Sequence, residues 1–245
     1  MMNKNIRIVI TGAAGLLGQN TILLLGEQGY HNLLAIDKHH ENIEILRKLN
    51  PGLEILEADL SERGKWQDAF KGAEVLLQMH ALITSLKLED FEKNTVQATA
   101  YVLEAARKYN VSYIVHISSS VVISAADDFY TNTKKKQDKL VAGSGIKYCA
   151  LRPSLMFGWL DKKHLGWLSR FLKKTPVFPI PGNGKYLRQP VYARDMASVV
   201  IRAMEMQPEG NFNIIGREDI NYIDIIKRIK KVVGGYCGMY PLQIV

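Results

Sequence analysis

The sequence has few cysteines and no long apolar run, and each absence excludes a class of protein. Its two cysteines, Cys149 and Cys237, are too few for a disulfide framework or a cysteine-rich metal cluster. No repeat or low-complexity tract is visible, and a composition of 47% hydrophobic and 23% charged residues excludes a disordered or fibrous protein. The polar residues 1–7 lead straight into an apolar strand, so we expect no signal peptide. We therefore predict a soluble, cytoplasmic protein without a membrane partner.

The charge of the chain is moderately basic. Its 32 Lys and Arg residues exceed its 24 Asp and Glu residues, which gives a formal net charge of +8. Nucleic-acid binding would require this charge on one stripe with interleaved aromatic residues, and no base-reading motif is present. We therefore predict no nucleic-acid partner. The basic surface remains compatible with an anionic substrate such as a phosphate ester.

The first part of the chain alternates between short β-rich runs and longer helical patterns, which predicts a parallel sheet covered by helices on both faces. The predicted strands cover residues 6–11, 33–37, 53–56, 75–79, 113–118 and 147–151. The predicted helices cover residues 16–28, 41–49, 91–109 and 130–142. This pattern is typical of a Rossmann-type, doubly wound α/β fold.

The composition and patterning of the sequence change after Arg152-Pro153. Prolines cluster between residues 176 and 190, and two further helices are predicted over residues 193–206 and 222–233. The tail from Gly234 to Val245 is Gly-rich and weakly patterned. We predict a dinucleotide-binding domain over residues 1–152 and a small C-terminal substrate-binding lobe over residues 153–245, interleaved with the carboxyl edge of the sheet.

A glycine-rich turn follows the first predicted strand and opens the first helix. Its three glycines are Gly12, Gly15 and Gly18. One glycine is needed for a tight turn, one for the approach of a pyrophosphate to the backbone, and one for packing of the helix on the strand. The helix N-terminus supplies N–H groups and positive potential. The strand–turn–helix context predicts a dinucleotide site.

Two acidic positions bear on the identity of the dinucleotide. Asp37 ends the second strand, where a carboxylate can hydrogen-bond the adenosine ribose of NAD. The cationic segment 38–40, which begins with Lys38, could instead hold the 2′-phosphate of NADP. We favour NAD. Asp59 and Leu60 follow the third strand, where they either lie beside the adenine or form a plain helix cap.

A candidate catalytic group lies at the fifth strand and the helix after it. The serine triplet Ser118–Ser120 ends the strand, and Tyr130 and Lys134 share one face of the helix because they are four residues apart. A tyrosine is a poor base at neutral pH, but an adjacent ammonium and a positive nicotinamide ring would lower the pKa of its phenol. The tyrosine could then take a proton from a substrate hydroxyl while hydride leaves to the ring.

These motifs resemble those of the extended short-chain dehydrogenase/reductase superfamily, in its NAD-dependent sugar epimerase/dehydratase branch, over residues 6–233. The resemblance rests on the glycine spacing, Asn94 with Thr99, the serine triplet, Tyr130 with Lys134, the run Leu151-Arg152-Pro153 to Gly158, and the segment from Arg188 to Asp195. It implies an NAD-dependent enzyme with a small-molecule substrate. Members of the branch dimerise through the helix at residues 91–109, so the resemblance also implies a homodimer, although that helix face could equally be core.

The resemblance also implies roles for individual residues. Ser120 polarises the reacting hydroxyl or carbonyl, Tyr130 is the acid or base, and Lys134 holds the nicotinamide ribose. Arg188 matches an arginine that clamps a phosphate in sugar-nucleotide enzymes. Further cofactor contacts are implied at Ala14, Leu16, Leu17, Met79, His80, Ala81, Asn94, Ser118 and Pro153.

The sequence departs from the family pattern in several places. Gln78 stands where many relatives have His, and His80 stands where alanine is usual, so His80 either projects toward the cofactor or is a packed histidine. Only nine residues separate Ser120 from Tyr130. Val121-Val122 replaces the acidic pair that sugar 4,6-dehydratases use, so dehydratase activity is not expected. The lobe after Pro153 is small for the extended class.

Three other side chains have alternative interpretations. Trp159 either lines the substrate pocket or packs the lobe. His116, inside the fifth strand, is interpreted as a core histidine or one that supports the site from behind, and Cys149 as a buried, inert thiol. The remaining histidines show no metal-ligand spacing, and we predict no metal.

We predict an enzyme that transfers hydride between NAD and a secondary alcohol or ketone, with a nucleotide sugar as the favoured substrate. Epimerisation and simple dehydrogenation share the first step, and the spacing of the motifs does not separate them. The alternatives are a dehydrogenase of a small non-sugar alcohol and a dinucleotide-sensing protein without turnover.

Overall fold

The computed structural model describes residues 2–175, 177–234 and 238–242. The chain forms two compact units. The first unit comprises Met1–Pro153 and Arg194–Ile214, and the second comprises Ser154–Ala193 and Ile215–Val245. The single boundary predicted after residue 152 therefore needs a correction. The chain returns to the first unit at residues 194–214, because a strand there pairs with the strand that ends at Pro153.

The strands of the described residues are, in chain order, β1 (Arg7–Thr11), β2 (Leu33–Asp37), β3 (Glu54–Glu57), β4 (Ala73–Gln78), β5 (Tyr113–Ile117), β6 (Lys147–Pro153), β7 (Met156–Phe157), β8 (Val177–Pro181), β9 (Leu187–Arg188), β10 (Val191–Tyr192), β11 (Gly210–Ile214), β12 (Ile220–Asn221) and β13 (Gly238–Leu242). The α-helices are α1 (Leu16–Glu27), α2 (His40–Leu49), α3 (Leu88–Phe91), α4 (Ala98–Lys108), α5 (Phe129–Ala142), α6 (Leu165–Lys174), α7 (Ala193–Met206) and α8 (Tyr222–Val233). No helix in the described ranges is long and apolar enough to cross a membrane.

The first unit is built on a seven-stranded sheet of order β11-β6-β5-β4-β1-β2-β3, in which every neighbouring pair is parallel. The α/β, Rossmann-type fold predicted from the alternation of strands and helices is confirmed. The order reverses between β1 and β4, and the carboxyl end of such a reversal is where ligands bind in open α/β sheets. The glycine-rich turn leaves β1 at that point.

Apolar side chains of strands and helices form the core of the first unit. Val9 and Leu76 from the sheet pack with Val102 and Leu103 of α4 and with the buried ring of Phe70. These strands are short and nearly wholly apolar, as expected for a parallel sheet that is covered on both faces. The core fixes the carboxyl ends of β1, β4 and β5, which carry the candidate site.

The structure differs from the predicted elements at two places in the first unit. Strand β11 was not predicted, because its sequence GNFNI is half polar and its exposure is that of an edge strand. The helix predicted over residues 91–109 is instead made of α3, a π-helical segment (Glu92–Gln97) and α4. Wide turns of this kind are frequent at functional sites, and this segment carries Asn94.

The described residues of the second unit form three short strand pairs. β7 pairs with β10 and β8 with β13 in parallel, and β9 pairs with β12 in antiparallel orientation. Its core forms where α6, which was not predicted, and α8 meet: Leu168 and Leu172 pack with Phe178, Ile180 and Ile226. Part of the tail that looked weakly patterned thus pairs as β13, whereas Cys237 lies outside the described residues.

Candidate active site

The glycine-rich turn has the geometry of a phosphate cradle. Gly12 has a φ of +69°, and a Cβ added there would lie 2.7 Å from the backbone nitrogen of His80. A Cβ at Gly18 would lie 2.5 Å from the carbonyl oxygen of Ala13. Gly15 is the N-cap of α1 and brings no capping side chain, so the first N–H groups of the helix are not bonded by a side chain at this position. Backbone and helix dipole therefore form an anion-binding concavity.

The carboxylate of Asp37 ties this turn to the end of β2. Its Oδ2 accepts a hydrogen bond from the N–H of Ala14 at 2.9 Å, and its Oδ1 accepts bonds from the N–H groups of Lys38 and His39 at 2.8 and 3.0 Å. The side chain is 7% exposed. Because a carboxylate has about four acceptor sites, Asp37 keeps capacity for the ribose hydroxyl that the sequence predicts as its partner.

The cation after Asp37 is neutralised by a neighbour. The ammonium of Lys38 forms an ion pair with Asp59 at 3.0 Å and donates to the side-chain oxygen of Asn94. Asp59 also accepts bonds from the backbone and hydroxyl of Ser61, and these contacts outweigh burial and hold the pKa of its carboxyl below the ordinary value. The helix cap predicted as one alternative for Asp59 is not observed, because its bonds to Ser61 close a turn and the next helical segment begins only at Lys65, with Gly64 as its N-cap. Because the positive charge of Lys38 is paired with Asp59, the end of β2 favours a ribose hydroxyl over a 2′-phosphate.

Tyr130 lies in the first turn of α5. Asp128 caps the helix by accepting hydrogen bonds from the N–H and the hydroxyl of Thr131 at 2.9 and 2.8 Å, which sets where the helix begins. Burial raises the pKa of the Tyr130 phenol, and a hydrogen bond from the hydroxyl of Ser119 lowers it by less. The serine in contact with the phenol is thus Ser119. Ser120, the serine to which the family resemblance assigns the polarising role, begins the following 3-10 turn and is partly exposed.

Lys134 is almost wholly buried, with 1% of its surface exposed. Its ammonium donates to the carbonyl oxygen of Ile117 at 2.8 Å and to the side-chain oxygen of Gln137. Burial lowers its pKa to about 8, and the nearby charge of Asp138 raises it by less. The sequence predicts that this ammonium lowers the pKa of the Tyr130 phenol. The structure differs, because burial dominates the phenol and the ammonium is directed at Ile117 and Gln137.

Gln137 extends the environment of the lysine into a buried polar network. Its amide donates to the carbonyl oxygen of His80 at 3.1 Å and to the hydroxyl of Thr99 at 2.8 Å. The ring nitrogens of His80 lie 2.9 Å from the hydroxyl of Thr11 and 3.1 Å from that of Thr99. Burial lowers the pKa of His80 to about 3, so the ring is neutral. His80 is therefore the packed histidine of the two alternatives, and only its backbone lies against the glycine turn.

A second polar cluster joins α5 to two strands. Asp138, one turn beyond Lys134, contacts the ring of His116 at 3.0 Å and the guanidinium of Arg152 at 3.2 Å. Burial acts to raise the pKa of this carboxyl, but the hydrogen bond and charge of His116 hold it well below the ordinary value. Burial lowers the pKa of His116 to about 4. The predicted supporting position of His116 is thus present, and the cluster fixes the helix face that carries Tyr130.

The other predicted site residues divide between the two units. Ala14, Leu16, Leu17, Leu60, Met79, Ala81, Asn94, Ser118 and Pro153 belong to the first unit, as does the whole glycine turn. Trp159 and Arg188 belong to the second unit, where Trp159 is 51% exposed and the guanidinium of Arg188 lies 5.0 Å from the centre of the Tyr186 ring. Half-exposure shows that Trp159 is not part of the core of its lobe. Among the described residues no cluster of His, Cys, Asp and Glu could hold a metal.

The sequence did not identify three residues of this site as functional positions: Ser119, Gln137 and Asp138. A signal was present for Asp138, because it continues the four-residue spacing from Tyr130 through Lys134 on one helix face. Gln137 lies one turn from Lys134 and was equally within reach of that rule. The choice between Ser119 and Ser120 depends on where the strand ends, and sequence does not fix an end to one residue.

Known families and proteins resemble this chain over most of its length. The model of the family described as "NAD dependent epimerase/dehydratase family" matches residues 8–215. A ceramide reductase of Caulobacter vibrioides is 25% identical over 173 residues, which are 71% of this chain and 53% of that protein. A 3 beta-hydroxysteroid dehydrogenase/Delta 5-->4-isomerase of Mycobacterium tuberculosis is 22% identical in an alignment of 263 positions, gaps included, that covers 93% of this chain and 70% of that protein. The chain spans between about half and two-thirds of the length of the first curated relatives it matches.

Solved structures share the fold. A UDP-glucose 4-epimerase of Thermotoga maritima, described with UDP-glucose, superposes with a TM-score of 0.83 at 19% identity, covering 98% of this chain and 87% of that one. A dTDP-glucose 4,6-dehydratase of Streptomyces venezuelae, described with NAD, gives a TM-score of 0.83 at 16% identity, with coverage of 97% and 85%. At identities of 16% and 19%, this likeness shows a shared fold.

The residues present fit a dinucleotide. The glycine turn leaves no room for a Cβ at Gly12 or Gly18, and the N-terminus of α1 behind Gly15 has no side-chain cap. These features suit the pyrophosphate, and the carboxylate of Asp37 suits the ribose. The prediction of NAD is confirmed by the family match, as is the predicted resemblance. The chain belongs to the NAD-dependent epimerase/dehydratase family.

Proposed function

We propose that the chain is an oxidoreductase that moves hydride between NAD and the carbon of a secondary alcohol or ketone, with Tyr130 as its proton donor or acceptor. The observation that carries the proposal is the partly buried phenol of Tyr130, whose pKa responds to Ser119 and which lies on the same helix face as Lys134. Gln137 connects that lysine to the backbone of His80, which lies against Gly12 of the dinucleotide cradle. A protein that only sensed the dinucleotide would not need these three side chains together.

The environment of Tyr130 favours its use as an acid. Because burial raises the pKa of the phenol, the side chain is protonated at neutral pH and ready to donate to a carbonyl oxygen. Bound NADH would supply the hydride, and the reverse reaction would return the proton to the phenolate. Ser119 steadies the phenol oxygen, and Ser120 is left with the polarising role that the family resemblance assigns to it. Lys134 and Gln137 would hold the nicotinamide ribose end of the site.

We propose a nucleotide sugar as the substrate, as the sequence predicts. Arg188 supports this choice, because its guanidinium forms no ion pair with a described residue and stacks near Tyr186. Tyr186 in turn stacks on Tyr222, with ring centres 5.0 Å apart, which offers an aromatic surface beside a cation. A phosphate and a base are ligands that such a group could accept. The structural relatives named above are described as acting on, or binding, nucleotide sugars.

A second candidate substrate is a hydrophobic ketone or alcohol. The curated relatives named above are a ceramide reductase and a 3 beta-hydroxysteroid dehydrogenase, and a further relative, 25% identical over 225 residues, is a ketoreductase of a farnesylated dihydroquinoline oxide. The half-exposed indole of Trp159 suits either substrate. Epimerase and dehydrogenase chemistry both remain within the proposal.

The experiment starts from the purified protein. Denaturation and mass spectrometry identify any retained dinucleotide, and stoichiometric NAD supports a cofactor-recycling epimerase. Oxidation of NADH is then followed with nucleotide 4-ketosugars and, separately, with steroid and long-chain ketones, and UDP-hexoses are assayed for epimerisation. Tyr130→Phe should lose about 10²-fold or more in turnover with unchanged NAD affinity. A protein that binds NAD, turns over no substrate and is unaffected by Tyr130→Phe is the sensor instead.

We also propose a homodimer in the cytoplasm. In the helix predicted over residues 91–109, through which the family dimerises, the apolar positions at helical spacing include Val96, Ala100 and Leu103. Leu103 is buried in the core of its own unit, whereas Val96 and Ala100 are partly exposed. A two-fold contact through this face needs only those outer positions. Light scattering after size exclusion should give twice the chain mass, and Ala100→Arg should give a folded monomer. A wild-type monomer at all concentrations overturns the proposal.

A further inference from the structure

The second unit carries a run of positively charged residues. Residues 162–193 contain seven Lys and Arg residues and no Asp or Glu, compared with an excess of +8 over the whole chain. Five of these cations flank or lie within α6: Lys162, Lys163, Arg170, Lys173 and Lys174. The charge of the chain is thus concentrated, which its total composition does not reveal.

Helix α6 separates this charge from its buried face. Leu168 and Leu172 point into the core of the unit and are 3% and 0% exposed. Trp167, Arg170 and Lys174 follow the spacing i, i+3 and i+7, which places them together on the outer side of the helix. The indole of Trp167 is 48% exposed and stacks on Phe171, with ring centres 5.1 Å apart. An aromatic ring is therefore held in place among cations on an outward face.

The acid next to this helix does not neutralise the face. Asp161 is 6% exposed, and its carboxylate accepts hydrogen bonds from the N–H groups of Lys163, His164 and Gly166 at 3.0, 2.9 and 2.9 Å. Its oxygens are therefore bonded by backbone N–H groups just before the helix and in its first turn. The ammonium groups of Lys163, Lys173 and Lys174 form no ion pair with any residue in the described ranges.

We propose that this outer face of α6 binds the surface of an anionic phospholipid bilayer. The apolar face of α6 packs inside the unit, and its outer face presents cations and a half-exposed indole. Such a face suits a membrane interface, where Trp lies at headgroup depth and long cationic side chains reach the phosphates. Anionic lipid complements the charge, and a single exposed ring on the helix is too few for the interleaved stacking that single-stranded nucleic acid requires. The composition alone predicts no membrane partner, because it does not show where the charge lies.

The test is co-sedimentation of the full chain with vesicles of phosphatidylcholine alone and of phosphatidylcholine mixed with phosphatidylglycerol. The protein should sediment with the mixed vesicles, less so as salt is raised, and stay in solution with the neutral ones. Trp167→Ala and the pair Lys173→Glu/Lys174→Glu should each weaken binding about tenfold. Light emitted by Trp167 should shift to the blue on binding, and the shift should vanish in Trp167→Ala.

The matched control is the pair Lys48→Glu/Lys71→Glu, which changes net charge equally at two exposed lysines of the first unit. It should bind vesicles as the wild type does. Equal losses in both pairs would overturn the proposal, because net charge and not this face would then drive binding. Equal sedimentation with neutral and anionic vesicles, or binding of single-stranded RNA without binding of vesicles, would overturn it as well. Circular dichroism verifies that each variant is folded, and NADH turnover in solution distinguishes this proposal from the enzymatic one.

Discussion

The hydroxyl of Ser119 hydrogen-bonds to the phenol of Tyr130 and lowers its pKa against the larger effect of burial. The contact joins the loop after β5 to the first turn of α5, whose start is fixed by the cap at Asp128. Two neighbouring serines therefore have separable expected roles. Ser119 sets the ionisation of the phenol, and Ser120 is the position that family resemblance assigns to the reacting oxygen.

The two serines predict different kinetic signatures. In Ser119→Ala, the pKa of the phenol should rise further, because a hydrogen bond that favours the phenolate is lost. The limb of the pH–rate profile due to Tyr130 should therefore move to higher pH. In Ser120→Ala, kcat should fall about 10²-fold without that shift. Rate profiles of kcat against pH, measured for oxidation of alcohol and reduction of ketone, provide the comparison. An unshifted profile in Ser119→Ala would show that its contact with Tyr130 has no kinetic role.

The second prediction concerns Gln137 and the buried ammonium of Lys134. Gln137→Leu removes one of the two acceptors of the ammonium and the donor to Thr99 and to the carbonyl of His80. Loss of a hydrogen bond to a buried charge costs about 1.5–3 kcal/mol. We expect a lower melting temperature and NAD affinity weakened about tenfold by calorimetry.

Gln137→Glu is the matched variant, because it is nearly isosteric and keeps an acceptor beside Lys134. It should raise the pKa of the ammonium and retain more NAD affinity than the leucine variant. If both variants bind NAD as the wild type does, Gln137 has no part in positioning the lysine.

The fold could be predicted from the sequence more fully than the geometry of the candidate site. Buried strands such as β1 are continuous apolar runs, so periodicity and the glycine turn predict them. β11 is half polar and lies at the edge of the sheet. Its position depends on pairing with β6, from which it is far removed in the sequence. The residue types at Tyr130 and Lys134 marked the site, but the direction of the ammonium depends on Gln137 and on burial, which no local pattern encodes.

The third prediction compares two glycines of α1. A Cβ at Gly18 would lie 2.5 Å from the carbonyl oxygen of Ala13, whereas nothing lies within 4 Å of one at exposed Gly26. Gly18→Ala should destabilise the protein by about 2 kcal/mol or more and abolish NAD binding, since the turn must shift. Gly26→Ala should stabilise it by up to about 1 kcal/mol through helix propensity. Denaturant unfolding and NAD titration measure both effects. Normal NAD binding in Gly18→Ala would contradict the close packing of this turn.

The fourth prediction is a loss of stability in acid caused by buried neutral histidines. The folded-state pKa of His116 is lowered to about 4 and that of His80 to about 3, mainly by burial, against an ordinary value of 6.5. Above pH 6.5 both rings are neutral in the folded and the unfolded chain, so their contribution does not change. As pH falls below 6.5 the unfolded chain takes up protons that the folded chain does not, and the free energy of unfolding declines until the folded-state values are reached.

For His116 the decline amounts to about 3 kcal/mol, at 1.36 kcal/mol for each pH unit between 6.5 and about 4. His116→Gln keeps a donor toward Asp138 but cannot titrate, so its stability should fall less steeply than that of the wild type between pH 6.5 and 4. His31→Gln, at an exposed position, should leave the slope unchanged. Urea unfolding at a series of pH values gives the slopes directly. If His116→Gln and wild type lose stability in parallel, His116 is already protonated in the folded protein, and its ring and the Asp138 carboxylate form a charged pair.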